Sequence, residues 1–168
     1  MPSQVIHTPI GALQLIAQGG FLTNIHWEGT HTIPQETPRQ EPTRDQDILD
    51  SEALLVTAAQ QLLEYFAGQR QAFTLPLNPG GTPFQQRVWQ ALQEIPYGHV
   101  ISYKQLAHRI GQPTALRAVG GANHRNPLPI VIPCHRVIAA DGSLGGFGGG
   151  LEIKRALLEL ESGSLFAR

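Results

Sequence analysis

Apolar and polar positions alternate in the first part of the chain and then change to helical spacing. The stretch ALQLIAQGGFLTNIHW alternates on both sides of Gln18-Gly19-Gly20, a pattern that predicts two strands joined as a hairpin. From about Asp47 to Gly68, apolar residues recur every three or four positions, which predicts one long helix. These residues are Leu55, Ala58, Ala59, Leu62, Leu63 and Phe66. A short strand, AFTLPL, is predicted to follow.

The second half of the sequence predicts a series of short helices. TPFQ at 82–85 has the order of a capping box with proline at the first helical position, and the apolar stripe that follows ends before Pro96. Ser102 is expected to cap a second helix, and a third is expected from Ala115 to about His124. Two short helices joined by a glycine-containing turn are typical of a helix-turn-helix.

We therefore expect an α/β protein in two parts. The segment NPGG at 78–81 is typical of a linker, because it combines several turn-forming residues. It would separate a strand-rich N-terminal α/β domain at 1–77 from a mainly helical C-terminal domain at 82–168. Within the first domain, the proline-rich stretch EGTHTIPQETPRQEPTRDQ predicts a surface loop.

The overall composition limits the class of protein. Its 168 residues are 41% apolar, enough for a packed core, and the single cysteine excludes an intramolecular disulfide or a cysteine-rich zinc site. The N-terminal sequence lacks the pattern of a secretory signal, and no apolar run approaches the ~20 residues that span a bilayer. We therefore expect no membrane partner and a location in the reducing cytoplasm, where a thiol stays free.

The net charge of −1 conceals an uneven distribution of charged residues. Residues 1–80 carry three basic and eight acidic side chains, whereas residues 81–136 carry six basic side chains and one acidic one. The six are Arg87, Lys104, Arg109, Arg117, Arg125 and Arg136. A local positive excess of this kind is typical of a site for a polyanion, and the alternative is a solvated basic face.

The third predicted helix, ALRAVGGANHR, has an unusual composition. Gly120 and Gly121 are poor helix formers, so some benefit must offset their effect on stability. Small side chains let a helix backbone approach a partner closely, and Arg117 and Arg125 add positive charge nearby. Nucleic acid is one such partner, and close packing against another helix is the alternative.

The only cysteine lies in IVIPCHRVI at 130–138. The β-branched run at 130–132 predicts a buried strand that Pro133 ends, which places Cys134 at a strand exit. A lone cysteine is most often a small buried hydrophobe. Here, however, His135 and Arg136 follow at once, and a base or a positive charge beside a thiol favours the thiolate.

Sequence spacing alone does not bring the thiol and the imidazole together. Adjacent residues of an extended chain point to opposite faces, so an interaction between Cys134 and His135 needs a turn or a bridging water. Glu161, near the end of the predicted helix LEIKRALLELE, is a candidate to orient the imidazole; the alternative is a solvated carboxylate. In GSLGGFGGG at 142–150, backbone amides are open to a ligand, and Phe147 either stacks on a planar group or fills the core.

Taken together, these motifs resemble a known family. SYKQLA, RAVGGANHRNP, PCHRVI and GGFGGGLEIKRALLELE occur in the order found in the O6-alkylguanine-DNA alkyltransferases, and the resemblance runs from about Thr82 to Glu161. The preceding residues resemble the bacterial members only in length and strand-rich character. The resemblance implies a small ribonuclease-H-like domain followed by a mainly helical domain with a helix-turn-helix.

The same resemblance implies a role for each motif residue. Cys134 accepts the alkyl group irreversibly, His135 and Glu161 activate it through a bound water, and Tyr103 protonates the leaving base at N3. DNA contacts are implied for Tyr103, Lys104, Arg117, Ala118, Gly121 and Arg125, of which Arg117 enters the base stack. A base pocket and its supporting turn are implied for Asn126, Arg136, Val137, Phe147 and Gly148.

This chemistry fits the residue types. Thiolate is a soft nucleophile suited to displacement at an alkyl carbon, and protonation lets guanine leave as a neutral base. O6 inside a duplex is reached only if the base is extruded. The implied partner is double-stranded alkylated DNA, bound through its minor groove by a monomer without a cofactor or metal, with O4-alkylthymine as a second substrate. Because the thioether product is inert, each molecule is expected to react once.

Two residues depart from the family pattern: Phe147 replaces the usual tyrosine, and Gly148 replaces a commoner serine or alanine. They bear on selectivity and leave the reaction itself unaffected. Cys134 argues against a related subfamily that lacks the acceptor cysteine. From the residues alone, other functions stay open: a damage-sensing DNA-binding module that does not need its thiol, a cysteine hydrolase using Cys134 and His135, and a histidine/carboxylate metal site assembled in space.

Overall fold

The hairpin predicted around Gly19 and Gly20 is part of a three-stranded antiparallel sheet. The computed structural model describes residues 2–28, 45–147 and 150–163. Its first strands, β1 (Ser3–Thr8), β2 (Gly11–Gln18) and β3 (Phe21–Trp27), pair in the order β1-β2-β3. Both glycines have positive φ, 59° and 79°, as a tight turn between twisted strands requires. Strand β1 was not predicted, because its apolar residues do not alternate clearly.

One long helix, α1 (Asp45–Phe66), packs on this sheet. Of the apolar residues at helical spacing, Leu55, Ala58 and Leu62 are buried, whereas Leu63 is 46% exposed. The predicted strand AFTLPL is wrong: the segment makes only a single parallel bridge, between Leu22 and Leu77. Pro76, inside this segment, has no N–H to donate to a neighbouring strand, which explains why the pairing does not extend.

The chain divides into two compact units, Met1–Gly80 and Gly81–Arg168. The sheet and α1 belong to the N-terminal unit, and the candidate site described below belongs to the C-terminal unit. Most of the predicted proline-rich loop lies outside the described residues. In the ranges that the structure describes, no helix is both long enough and apolar enough to cross a membrane.

Short helices dominate the C-terminal unit. They are α2 (Pro83–Gln93), α3 (Tyr103–Arg109), α4 (Leu116–His124) and α5 (Leu151–Ser162), with a short parallel pair, β4 (Ile101–Ser102) and β5 (Val137–Ile138). Both predicted helix starts are confirmed, since Thr82 and Ser102 each form a complete capping box with the glutamine three residues on. Helices α3 and α4 form the predicted helix-turn-helix, with Gly111 at φ 73° in the turn between them.

The β-branched run at 130–132 does not form the predicted strand. It is buried, but it folds as a turn in which Ile132 N donates to Leu128 O at 2.8 Å, and Ile130 has a φ of 75°. Prolines at 127, 129 and 133 remove backbone donors on both sides of the run, so a strand ladder has little to pair with. A buried strand and a buried turn give the same run of apolar residues in a sequence. The prolines on both sides favour the turn here.

Candidate active site

Cys134 is the first residue of a short 3-10 helix, Cys134–Arg136, that follows this turn directly. The side chain is 4% exposed, and burial raises the pKa of its thiol to about 11, although Asn126 and Lys154 lower it in part. The thiol is therefore protonated at neutral pH until a base removes its proton. The helical turn replaces the strand exit expected from sequence and removes the opposite-face arrangement of an extended chain.

One buried carboxylate holds both residues that follow the cysteine. Glu161, in the last turn of α5, is 7% exposed, and its two oxygens lie 2.9 Å and 2.8 Å from His135 Nε2. Arg136 Nε donates to the same oxygens at 2.6 Å and 3.1 Å, and Arg136 Nη1 donates to Ile95 O at 2.7 Å. The alternative of a solvated carboxylate at Glu161 is therefore wrong, and the predicted pairing with His135 is present.

This cluster fixes the protonation state of the imidazole. Burial lowers the pKa of His135, and the hydrogen bond and charge of Glu161 offset that only in part. Burial by itself would raise the pKa of Glu161. His135 and Arg136 lower it by a larger amount, so the pKa of this carboxyl lies below its ordinary value. A carboxylate accepts hydrogen bonds only, so Nε2 carries the proton and Nδ1 is an acceptor. Among the described residues, His135 Nδ1 is buried without a hydrogen-bond partner, which leaves it free to act as a base.

Lys154 is a site residue that the sequence analysis missed. Its side chain is fully buried, and Nζ donates to the carbonyl oxygens of Val137 (2.6 Å), Leu144 and Gly146 (3.3 Å). Burial lowers the pKa of this lysine to about 8, and Cys134 partly opposes the shift. The available signal was its spacing: Lys154 and Glu161 are seven residues apart, with buried Leu157 between them on one helix face.

Tyr103, at the start of α3, lies beside the glycine-rich loop and the cysteine. Burial raises the pKa of its hydroxyl, the Asn123 side chain lowers it, and Cys134 raises it. A Cβ atom added at Gly145 would lie 3.1 Å from Tyr103 Cε2, so this glycine permits the loop to approach the ring. The ring centroid is 5.9 Å from Lys154 Nζ. The structure thus gathers Tyr103, Lys154 and Cys134 into one cluster.

Asn126 fastens the turn that leads from α4 to Cys134. Its Nδ2 donates to Ile132 O at 2.7 Å, and its Oδ1 accepts from Leu128 N at 3.0 Å. These two bonds span the segment in which Ile130 has positive φ, a conformation that a β-branched residue rarely adopts. The Asn126 side chain therefore stabilises a backbone conformation that Ile130 would not adopt by its own local preference.

Of the residues expected to contact DNA, Tyr103 belongs to this cluster, and the others lie on α3, on α4 or directly after it. Lys104, Arg117, Ala118, Gly121 and Arg125 are all exposed. Apart from the nearby backbone of α4 and the adjoining residues, no described atom lies within 4 Å of a Cβ built at Gly120 or Gly121, so close packing against another helix does not explain these glycines. Of the six basic residues at 81–136, five are exposed and Arg136 is buried in the active-site cluster.

Comparison with known proteins assigns the chain to a family. Residues 83–163 match the "6-O-methylguanine DNA methyltransferase, DNA binding domain", and residues 1–79 match the "ribonuclease-like domain" of the same proteins. The chain belongs to the 6-O-methylguanine DNA methyltransferase family. Together the two matches cover nearly the whole sequence, including all the site residues named above.

Curated and solved members of this methyltransferase family are similar over most of their length. The methylated-DNA–protein-cysteine methyltransferase of Mycobacterium tuberculosis H37Rv is 48% identical over 159 residues, covering 94% of this chain and 90% of the relative. The constitutive enzyme of that name from Bacillus subtilis is 45% identical, covering 92% and 91%. The crystal structure of M. tuberculosis OGT in complex with DNA has a TM-score of 0.80 and 45% identity, covering 96% of this chain and 92% of that one. The α/β fold with a helical C-terminal part is thereby confirmed.

The remaining residues that the methyltransferase resemblance singled out have varied positions. Val137 is fully buried in β5, where it pairs with Ile101, and its carbonyl binds Lys154. Phe147 is partly exposed in the glycine-rich loop, and Gly148 lies outside the described residues. Within the described part of the chain, no group of three or more histidine, cysteine, aspartate or glutamate residues is placed to hold a metal ion.

Proposed function

We propose that this protein repairs DNA by direct reversal, transferring an alkyl group irreversibly from O6 of guanine to Cys134. The observation that carries the proposal is the arrangement of the cysteine at the head of a helical turn whose next two residues share Glu161. The relatives named as methylated-DNA–protein-cysteine methyltransferases support the same reaction. In this proposal, O4-alkylthymine is a second substrate.

The first step is formation of the thiolate. A thiol whose pKa burial raises to about 11 needs a base, and the only proton acceptor on the neutral imidazole of His135 is Nδ1. We propose that the thiol proton passes to this atom through a bridging water, while Glu161 stabilises the imidazolium that results. Arg136 keeps Glu161 ionised, since its guanidinium lowers the pKa of that carboxyl.

The second step is the displacement itself. The thiolate attacks the alkyl carbon, the carbon–O6 bond breaks, and its electron pair stays with the base. Tyr103 gives its hydroxyl proton to N3, so that guanine leaves neutral, and the phenolate later regains a proton from solvent. The resulting thioether is inert, and no second thiol exists in the chain to remove the alkyl group. Each molecule therefore acts once, without a cofactor.

DNA engagement is assigned to the helix-turn-helix. Lys104 and Arg125 contact phosphates, while the small residues Ala118 and Gly121 let the backbone of α4 approach the minor groove of double-stranded DNA. The open space around Gly120 and Gly121 supports this assignment, because no other element of the described chain packs there. The target base leaves the stack, and Arg117 takes its place.

The extruded base is assigned to a pocket beside Cys134. Phe147 supplies an aromatic wall, and Val137 closes the apolar side. Asn126 supports this pocket through its hydrogen bond to the turn, and Arg136 supports it through its bond to Glu161. Gly148, where the family more commonly has serine or alanine, offers the base no side-chain contact. We propose that the protein acts as a monomer, because every residue in this scheme comes from one chain.

The decisive test is intact mass after incubation with a duplex that contains one O6-methylguanine. We expect one methyl group added to the wild type and none to Cys134→Ala, with no second addition at excess DNA. Direct transfer predicts that the methylated peptide contains Cys134. Unchanged mass with the duplex still bound would overturn the proposal and leave a damage-recognition protein. Addition to both variants would place the acceptor elsewhere.

A further inference from the structure

Asn123 lies in the last turn of α4 and is 3% exposed, although it is polar and belongs to the helix assigned to DNA. Its Nδ2 donates to the carbonyl oxygen of Cys134 at 3.3 Å. The same side chain interacts with the Tyr103 hydroxyl and lowers the pKa of that group. One buried amide therefore binds the backbone of the acceptor residue and lies close enough to the tyrosine beside it to lower the pKa of its hydroxyl.

The carbonyl oxygen of the Asn123 amide indicates which of its two groups faces the tyrosine. Among the described residues, Asn123 Oδ1 is buried and has no hydrogen-bond partner. The Tyr103 hydroxyl therefore does not donate to Asn123. An amide nitrogen has two protons, one of which goes to the Cys134 carbonyl, so the second is the one available to the phenol oxygen.

Stability accounts for only one end of this asparagine. Its N–H group satisfies the buried carbonyl of Cys134, whereas its Oδ1 is buried without a donor among the described residues, which is unfavourable. A polar side chain with one unpartnered end beside the Tyr103 hydroxyl is more simply explained by the reaction that the hydroxyl serves.

We propose that Asn123 is a positioning residue for proton transfer: its amide N–H faces the Tyr103 oxygen, so that the hydroxyl proton points away from the protein and towards the leaving base. This inference rests on the proposed function. During displacement, the sulfur–carbon bond forms, the carbon–O6 bond breaks and the Tyr103 proton moves to guanine N3. The negative charge left on the Tyr103 oxygen is then stabilised by the Asn123 N–H group.

The test uses Asn123→Leu, which keeps the approximate shape and removes both the donor and the unpartnered carbonyl. We expect single-turnover methyl transfer from O6-methylguanine duplex to slow by about tenfold or more, the effect of one lost hydrogen bond in the transition state. Alkylation of Cys134 by iodoacetamide should stay within about twofold of the wild type, because iodide leaves without needing a proton. Equal slowing in both reactions would show that Asn123 acts on the thiol and would overturn the proposal.

Tyr103→Phe supplies the matched background. In that variant, adding Asn123→Leu should slow transfer little further, because the group that Asn123 positions is already gone. Independent slowing by the two substitutions would contradict the proposal. Tyrosine-ring carbon NMR adds a direct reading: the Tyr103 signal, assigned by its loss in Tyr103→Phe, should titrate at higher pH in Asn123→Leu. An unmoved titration also counts against the role.

These outcomes separate this inference from the proposed function. If the wild type fails to transfer a methyl group at all, the repair reaction itself is refuted. If the wild type reacts and Asn123→Leu matches it, only the role of Asn123 is refuted. Slower transfer together with normal iodoacetamide reactivity and a shifted Tyr103 titration establishes the positioning role.

Discussion

Among single residues, the site depends most on the carboxylate that two neighbours share. Glu161 is the charge partner of both His135 and Arg136, and all three side chains are almost fully buried. Removing one member of a buried ion pair leaves the others in a medium that solvates charge poorly. The proposed role of Glu161 in orienting His135 and its contribution to stability are therefore inseparable by substitution at that position alone.

Glu161→Gln should reduce both stability and transfer. Arg136 would keep its charge without a counter-charge, and the free energy of unfolding should fall by on the order of 3 kcal/mol. Transfer should slow by at least about a hundredfold, because His135 loses the group that orients and stabilises it. Urea unfolding and single-turnover kinetics measure the two effects. Glu152→Gln, at an exposed position in the same helix, should change neither; unchanged kinetics in Glu161→Gln would contradict the assignment.

The pKa shifts at the site also predict acid sensitivity. The pKa of His135 lies below its ordinary value of 6.5 and that of Glu161 below 4.5, so the unfolded chain binds more protons than the folded one in acid. The stability from His135 is complete above pH 6.5 and falls as the pH drops below it; the contribution of Glu161 falls below pH 4.5. Urea midpoints measured across that range should decline.

A pair of histidine variants tests the origin of this decline. His26 also has a lowered pKa, caused by partial burial, but it lies in the N-terminal unit. His135→Gln should flatten the dependence of stability on pH below 6.5 in the C-terminal unit, whereas His26→Gln should leave that unit's slope unchanged. Equal slopes in the wild type and His135→Gln would show that another group is responsible.

At the scale of elements, a lysine ties the glycine-rich loop to β5. Lys154 comes from α5 and donates to carbonyl oxygens at 137, 144 and 146, so one ammonium group joins three segments. Glycine leaves a loop many conformations to choose from, and this group selects one of them. The part of the loop around residues 144–146 is therefore held by the Lys154 ammonium group more than by its own side chains.

Lys154→Met should loosen this loop while preserving the stem of the side chain. The carbonyl groups at 137, 144 and 146 would lose their donor, and we expect a loss of on the order of 1–3 kcal/mol in unfolding free energy. Amide exchange at 144–147 should speed up, and methyl transfer should slow because the loop no longer supports Tyr103. Arg155→Met, at an exposed neighbour, is the control. Unchanged exchange in Lys154→Met would contradict the tether.

Helix α4 offers an opposite case, in which stability and function should diverge. Gly121→Ala adds a methyl group in open space and improves helix propensity, so stability should rise by about 0.5–1 kcal/mol. DNA affinity, measured by fluorescence anisotropy, should fall because the same methyl group enters the proposed contact. Gly120→Ala is the matched variant on the adjacent face. Unchanged affinity in both variants would refute close approach of this helix to DNA.

The sequence predicts these elements best where the signal is local. The caps at Thr82 and Ser102 depend on residues three positions away, and both form as expected. The turn at 130–132 depends on how three prolines limit pairing, and there the pattern misleads. The sequence does not predict Lys154 and Asn123 for another reason. A buried polar residue is recognised only when its partners are known, and these partners are distant in sequence.

The charges of the whole molecule divide along the sequence into a mainly acidic part and a mainly basic part. Acidic residues prevail before residue 81, whereas the exposed basic residues of 81–136 lie in the C-terminal unit. Arg136 does not contribute to that surface, because Glu161 neutralises it in the interior. A net charge near zero is therefore compatible with a polyanion-binding face, and counting charges over the full chain underestimates it.

Salt should weaken DNA binding within a defined limit. Five exposed basic residues at 81–136 set the largest number of phosphate contacts from this region. The slope of log affinity against log salt should then be no steeper than about −4.5, at ~−0.9 for each contact. Lys104→Gln should make the slope shallower by about 0.9. A slope near zero would exclude phosphate contacts as the source of affinity.

Glu161 is also synthesised late in translation. It lies 26 residues after His135, so a growing chain contains its thiol well before the carboxylate that completes the site. Until α5 is synthesised and docks, His135 and Arg136 have no counter-charge, and the cysteine behaves as it would in any unfolded segment. On the proposed mechanism, nascent and truncated chains therefore have no repair capacity, and a protein that reacts only once is not consumed before it has finished folding.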